Sequence, residues 1–350
     1  MKVGIVTFEK AINYGTSLQA VALLKVLRAK GADAAFLSHA CEEIDKTSRV
    51  FDFKCALSPA YALAHLYNLN VALKRRKAFR DFWKTHYVFG SQKPEDYDVV
   101  VAGSDQVWNY NLTAKDWFYF LDFPKNGIKK AAYAGSFGLS SIDPSLKGEI
   151  APLLQDMDAL SVRENTAAKL VKEIAGRDVP VVLDPTLLLN REQWKEMADP
   201  SFTHKGYIFV YTVFNSDSLW DYAYALSEKT GLPIRTISYS KIHPRKATYT
   251  FDAGPAQWLS HMMNADYVVT NSFHGFAFSV NFEKQFYYEL PPHSSGVGSR
   301  LADMAASYGL SHRELTVAGD QPLDHGPVQE KLAAAREESL AFIDEILTLR

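Results

Sequence analysis

Asn264-Ala-Asp-Tyr-Val-Val-Thr-Asn-Ser-Phe-His-Gly-Phe-Ala-Phe-Ser279 is the stretch whose reading decides the fold. Tyr-Val-Val is an apolar β-branched run bounded by polar residues, so Asp266 to Thr270 reads as a short buried strand, and Ser272 to Asn281 as the helix that follows it. A histidine, His274, therefore falls where a strand becomes a helix. In an open α/β sheet that junction is where ligands bind, and Asn271 or Ser272 can cap a helix whose free N–H groups face an anion. Gly275 leaves room for close backbone approach. The plainer reading of a lone histidine here is a hydrogen bond to the strand end.

The same strand, polar junction and helix recur along the chain. Lys2 to Phe8 reads as a strand and Thr16 to Lys30 as a helix, with Asn13-Tyr-Gly-Thr-Ser17 between them. Asn13, Tyr14, Gly15 and Thr16 could present N–H groups to a phosphate, or form an ordinary Gly turn with a cap. The pattern is neither GxGxxG nor a P-loop. Asp98 to Val101 leads to Gly103, Ser104 and Asp105. Lys130 to Ala134 is a further strand. Ala159 to Glu164 ends in Arg163, which suits a bidentate anion clamp or an ion pair with Glu164. Val179 to Asp184 reads as a strand stopped by Pro185. After Pro200 the alternation restarts, with strands at 207–213, 233–239, 266–270 and 285–289. Ser240 to Gly254 reads as a polar loop, Pro291 to Gly298 as a flexible one, and Val328 to Leu349 as a final helix crossing back to the first half.

This alternation predicts an α/β protein of two doubly wound Rossmann-like domains facing across a cleft. The expected division is 1–195 for an acceptor-side domain and 196–350 for a donor-side domain carrying His274. With 350 residues, one core would be unusually large.

Composition narrows the classes. Hydrophobic residues at 47% and charged residues at 22% are ordinary for a globular chain, and a formal net charge of −2 gives no footprint for nucleic acid. Cys41 and Cys55 form no CxxC and no histidine pair has metal spacing, so neither a disulfide framework, a structural zinc nor a cofactor is expected. No apolar run approaches membrane-span length, and a cytoplasmic location is the expectation. Leu73-Lys-Arg-Arg-Lys-Ala-Phe-Arg80 reads as an amphipathic helix. Its cationic face is either simply solvated or set against the inner membrane surface or an acidic polysaccharide.

Taken in order, Asn13-Tyr-Gly-Thr-Ser-Leu-Gln-Ala20, Gly103-Ser-Asp-Gln-Val-Trp-Asn109, Ser161-Val-Arg-Glu164, Leu183-Asp-Pro-Thr186, Thr270-Asn-Ser-Phe-His-Gly275 and Ser299-Arg-Leu301 resemble the polysaccharide pyruvyl transferase family. The resemblance implies a fold similar to the GT-B glycosyltransferases. It also implies transfer of a pyruvyl group from phosphoenolpyruvate to two hydroxyls of a sugar, or of a lipid-linked or nucleotide-linked precursor, as a cyclic ketal. His274 matches the motif histidine, expected to move protons; Arg163 and Arg300 match motif arginines, expected with Asn271 and Ser272 to bind the donor. Closure of the cleft on a small dianion is expected to bring the two arginines together. Asn13 to Thr16, Gly103 to Asp105 and Asp184 would line the cleft for acceptor or phosphate. Two other classes stay open: a glycosyltransferase using a nucleotide sugar, and a carbohydrate-binding protein without turnover.

Overall fold

A computed structural model of the chain describes residues 1–47, 59–242, 245–291 and 299–349. Cys55 and most of the 291–298 loop lie outside these residues.

The first five strands are β1 (Lys2–Val6), β2 (Asp33–Phe36), β3 (Val99–Ala102), β4 (Lys129–Gly135) and β5 (Ala159–Val162). They form one parallel sheet in the order β2-β1-β3-β4-β5. Strands β6 (Ile208–Tyr211), β7 (Ile234–Ile237), β8 (Thr248–Thr250), β9 (Tyr267–Thr270) and β10 (Gln285–Tyr288) form a second. Its order is β8-β7-β6-β9-β10, again all parallel. Runs such as Val-Val-Val-Ala in β3 and Ile-Phe-Val-Tyr in β6 are wholly buried, as strands covered by helices on both faces require. The protein is thus α/β, with two Rossmann-like sheets.

Helices α1 (Tyr14–Ala29), α2 (Glu42–Thr47), α3 (Pro59–His86), α4 (Tyr110–Thr113), α5 (Lys147–Gln155) and α6 (Asn165–Ala175) accompany the first sheet. Helices α7 (Arg191–Lys195), α8 (Asp217–Thr230), α9 (Pro255–Asn264), α10 (Phe273–Asn281), α11 (Ser299–Tyr308) and α12 (Gly326–Thr348) follow. Sequence chemistry sets many of their ends. Ser216 caps α8 by accepting the Leu219 N–H, and Gly231 closes it in the left-handed region at φ 71°.

Two expected elements differ. Residues 179–184 pair with β5 only through a bridge between Val162 and Val181, because Pro180 has no N–H to donate and Asp184-Pro185-Thr186 turns at once into a 3₁₀ segment. The loop expected over 240–254 contains the edge strand β8, whose three residues are too few to show a period.

One hydrophobic core runs through both halves, containing Val3 and Val101 beneath the first sheet and Phe209 and Val268 beneath the second. Helix α1 is its centre, buried along most of its length. Tyr14, fully buried, donates its O–H to Ala253 O at 3.0 Å and stacks 6.0 Å from the Trp258 ring. Helix α3 reaches across as well. Asn68 accepts from the Lys241 N–H at 2.7 Å, and the Arg75 guanidinium lies 4.1 Å over the Tyr239 ring. Helix α12 lies against the first half, where Ser339 accepts from the Leu183 N–H at 2.9 Å and Lys30 pairs with Asp344 at 2.6 Å.

Candidate active site

Strand order alone locates the site. In the first sheet the winding reverses between β1 and β3, in the second between β6 and β9, and ligands of open α/β sheets bind beyond the strand ends at such points. The loops leaving these strands meet around a cavity of about 600 Å³ lined by Asn13, Thr16 and Asp105 from one side and Tyr211, Phe214, Ser272 and His274 from the other.

His274 is the second residue of α10, whose N-cap Ser272 accepts the Gly275 N–H at 3.2 Å. Its ring lies directly over Gly15 in the first turn of α1: a Cβ on Gly15 would sit 2.0 Å from His274 Nδ1. Gly15 is therefore required by the histidine of the other half, since nothing else in a helix favours glycine there. His274 Nε2 is buried without a hydrogen-bond partner and stands 3.7 Å from Asp184 Oδ2, an ion-pair distance too long for a hydrogen bond.

Asp184 is the acceptor at the centre of the site. It accepts from Arg163 NH1 at 2.9 Å, Ser104 Oγ at 3.1 Å, Thr186 Oγ1 at 2.7 Å and the Thr186 N–H at 3.0 Å. Burial alone would raise its carboxyl, but His274, Arg163 and the Thr186 N–H outweigh burial and hold it well below the usual carboxylate range. Arg163 also faces Glu164 at 3.5 Å and Asp105 at 3.7 Å, and stacks 4.6 Å over Phe273. Burial would lower its guanidinium, yet Asp184, Glu164 and Asp105 raise it.

Arg300, from α11, has the opposite environment. It is 8% exposed and its Nε is buried without a partner. Burial, then the like charge of Arg163, push it down to about 10, against the pull of Glu164, Asp105 and Asp184. It lines both the main cavity and a recess of about 280 Å³ behind Phe273 that Arg163 shares. The two arginines thus adjoin without any movement of the domains. Counting Arg163 and Arg300 against Asp105, Glu164 and Asp184, the centre carries one negative charge before His274 is considered.

The polysaccharide pyruvyl transferase family model matches residues 13–288. The chain belongs to that family. It is a transferase of polysaccharide biosynthesis. No curated protein matches it in sequence. Similar solved structures include the UDP-GlcNAc 2-epimerase of Methanocaldococcus jannaschii, at 13% identity over 97% of this chain and 93% of that one, TM-score 0.48. The UDP-GlcNAc 2-epimerase of Neisseria meningitidis, bound to UDP-GlcNAc, is 10% identical over 99% and 94%, TM-score 0.46. A spinosyn rhamnosyltransferase is 11% identical over 99% and 96%, TM-score 0.39.

In this pyruvyl transferase the expected site residues divide by location. His274, Ser272, Thr16, Asn13, Asp105 and Arg300 border the cavity. Asn271 borders it too, but its amide is spent on the Val213 N–H and Phe214 O, so it shapes the loop after β6. Asn13 caps α1 through the Thr16 N–H, and Thr16 donates to Asp105 Oδ2 at 2.5 Å. Asp105 is held at φ 75°, a conformation rare outside glycine and typical of constrained sites. Tyr14 is in the seam between the halves. Gly103 and Ser104 are buried beneath the site, where a Cβ on Gly103 would meet Thr7 at 3.2 Å. Sequence reading missed Phe273, which carries the Arg163 guanidinium, and Gln106, whose Oε1 accepts from Asn109. Both stand inside quoted motifs, and adjacency to His274 and Asp105 was the available signal. Among the described residues no group of three His, Cys, Asp or Glu could hold a metal, and no helix is long and apolar enough to cross a membrane.

Proposed function

We propose that this transferase moves the pyruvyl group of phosphoenolpyruvate onto two hydroxyls of one sugar and closes a cyclic ketal. The observation that carries the reading is Arg300: a guanidinium buried at a cavity wall with Nε unpartnered and its charge disfavoured by burial, lining the same cavity as His274. A buried cation in that state gains most from an anion, and a three-carbon dianion with one sugar fits about 600 Å³.

The chemistry needs one proton delivered to the methylene carbon, while C2 accepts the first sugar oxygen. Phosphate then leaves and the second oxygen takes its place. Of the two hydroxyl protons, one balances that on the methyl group and the other leaves with phosphate. The imidazole of His274, which lines the cavity, is the group we assign to pass these protons, a role worth ~10² to 10⁴-fold. Asp184, fixed by four hydrogen bonds, steadies the imidazolium. Arg163 holds Asp184 and Glu164 in place, a positioning role that takes the ion-pair alternative the sequence left open beside the anion clamp.

The acceptor side falls to residues 1–195 and the donor side to 196–350, with Arg163 the exception contributed from the acceptor side. A lipid-linked acceptor is favoured by α3, where Leu63, Leu66, Tyr67 and Leu73 are exposed next to Lys74 and Lys77. Such a face suits the surface of an anionic membrane on its cytoplasmic side. The test is phosphate release from phosphoenolpyruvate with a panel of lipid-linked and nucleotide-linked sugars. Nucleotide release from a nucleotide sugar, with phosphoenolpyruvate inert, would replace this reading with glycosyl transfer.

A further inference from the structure

One carbohydrate-like recess lies outside this site. At the end of β2, one strand outward from β1 on the same sheet edge, a pocket of about 110 Å³ is lined by Glu9, Lys10, Ser38, His39 and Gln92. Phe8 and Ile44 border both this pocket and the main cavity, so the two adjoin along these apolar side chains.

His39 is its organised member. Its Nε2 is 2.7 Å from Asp116 Oδ2, and Asp116 Oδ1 accepts the Phe118 N–H at 3.2 Å. A carboxylate only accepts, so Nε2 is the donor, and in the neutral ring Nδ1 then holds the lone pair. The ring is stacked on Phe118 at 4.0 Å and meets the Tyr119 ring edge-on. An imidazole stacked, tautomer-fixed and about a quarter exposed is a preset hydrogen-bond acceptor.

Local charge identifies the ligand class. Lys10 lies 3.8 Å from Glu9 and 3.4 Å from Ser38 Oγ, and His39 faces Asp116. Lys10, the pocket's lysine, is paired with Glu9, and the neutral His39 adds no charge, so the pocket offers donors and acceptors without the uncompensated cation that Arg300 provides in the main cavity. That suits hydroxyls and not phosphate or carboxylate.

We propose that this pocket is a subsite for a second sugar unit of the acceptor, with His39 Nδ1 accepting a hydrogen bond from one of its hydroxyls. The inference rests on the pyruvyl-transfer reading in one respect: the ketal-forming unit occupies the main cavity with the donor, and its neighbour reaches past Phe8 and Ile44, which border both pockets. Asp116 is then a positioning residue that fixes the acceptor face of His39.

The test is saturation-transfer NMR with methyl β-galactoside, methyl β-glucoside and the disaccharides methyl β-lactoside and methyl β-cellobioside, on the full chain. In the parent, a disaccharide should receive saturation on both rings. In His39→Ala the outer ring should lose its signal and disaccharide affinity should fall about 2- to 10-fold, as for one neutral hydrogen bond, with monosaccharide affinity unchanged. Asp116→Asn keeps the shape and the Phe118 bond but can donate to Nε2, so ¹⁵N-histidine spectra should show the proton moved to Nδ1 and the same selective loss. An outer ring unsaturated in the parent, outer-ring contacts that persist in His39→Ala, or displacement of the sugar by inorganic phosphate overturns the subsite. Loss of these contacts in the variant, with no phosphate release from phosphoenolpyruvate by the parent on any sugar, would keep the subsite and remove the donor reading.

Discussion

Gly15→Ala tests whether the site is assembled across the two halves. A methyl carbon there would lie 2.0 Å from His274 Nδ1 and 2.3 Å from Cγ, whereas ordinary contact begins near 3.4 Å, so the ring must retreat about 1.4 Å. The backbone has no reason to object, because Gly15 is in the first turn of α1 and alanine is the better helix former by roughly 0.5–1 kcal/mol. Overpacking opposes this by about 1–3 kcal/mol, so net stability should fall by ~2 kcal/mol or less. Activity should suffer far more. Displacement of a reacting group by 1 Å can cost ~10²-fold, and the imidazole would turn away from Asp184. The assay is initial phosphate release beside calorimetric donor affinity, which should stay within about threefold because Arg300 is untouched. Adding His274→Ala should remove the stability cost of Gly15→Ala, since the clash goes with the ring. If Gly15→Ala turned over at the parent rate, the apposition of α1 and α10 and the role given to His274 would both be wrong.

Arg300→Met should raise the melting temperature while weakening phosphoenolpyruvate binding about 10- to 150-fold, because it removes a buried cation held down to about 10. Arg163→Met should do the reverse to stability, costing about 3–5 kcal/mol by leaving Asp184 and Glu164 buried without their partner; equal effects of the two in thermal melts would refute the distinction. His261 is buried and driven down to about 3, first by burial, then by Arg235 and His204. It folds neutral while the unfolded chain takes a proton below ~6.5, so stability is full above that pH and lost as pH falls toward 3, at ~1.4 kcal/mol per unit. Urea midpoints at pH 7, 6 and 5 should show this slope, and His261→Phe should flatten it. Leu63→Glu with Leu66→Glu should abolish co-sedimentation with phosphatidylglycerol vesicles and leave phosphate release on a water-soluble acceptor unchanged; undiminished binding would remove α3 from the membrane.

The fold was legible because buried parallel strands announce themselves as short apolar β-branched runs, and β3, β6 and β9 are such runs. What sequence could not supply was partnership. Arg163 and Arg300 are the same residue in two motifs, but Arg163 faces carboxylates from β3, β5 and the 184–186 turn, which only the strand order brings together. Asp184 reads as the end of a strand, and its role as the common acceptor appears only when Ser104 arrives from 80 positions away. The basic run in α3 likewise splits in three dimensions. Arg75 turns inward onto Tyr239 while Lys74 and Lys77 stay exposed, so neither a wholly solvated nor a wholly ligand-facing helix describes it.

Asn13-Tyr-Gly-Thr16 shows why the expected closing cleft is unnecessary. Read as a loop, it suggested backbone N–H groups for a phosphate. Folded, Asn13 caps α1, Tyr14 crosses the seam to Ala253 and Trp258, Gly15 yields its side-chain space to His274, and Thr16 binds Asp105. Two of the four residues thus dock the second half on the first, and the other two fix the helix start and the acidic side of the site. A hinge opening there would have to expose the Tyr14 and Trp258 rings and break a core continuous from Val3 to Val268. At ~25 cal/mol per Å² for aromatic surfaces of 150–250 Å² each, exposing those two rings alone costs several kcal/mol. The histidine, both arginines and Asp184 are consequently preorganised. On the proposed reading, donor binding then needs no domain movement, and its free energy would be available to offset the desolvation of the donor's own charges.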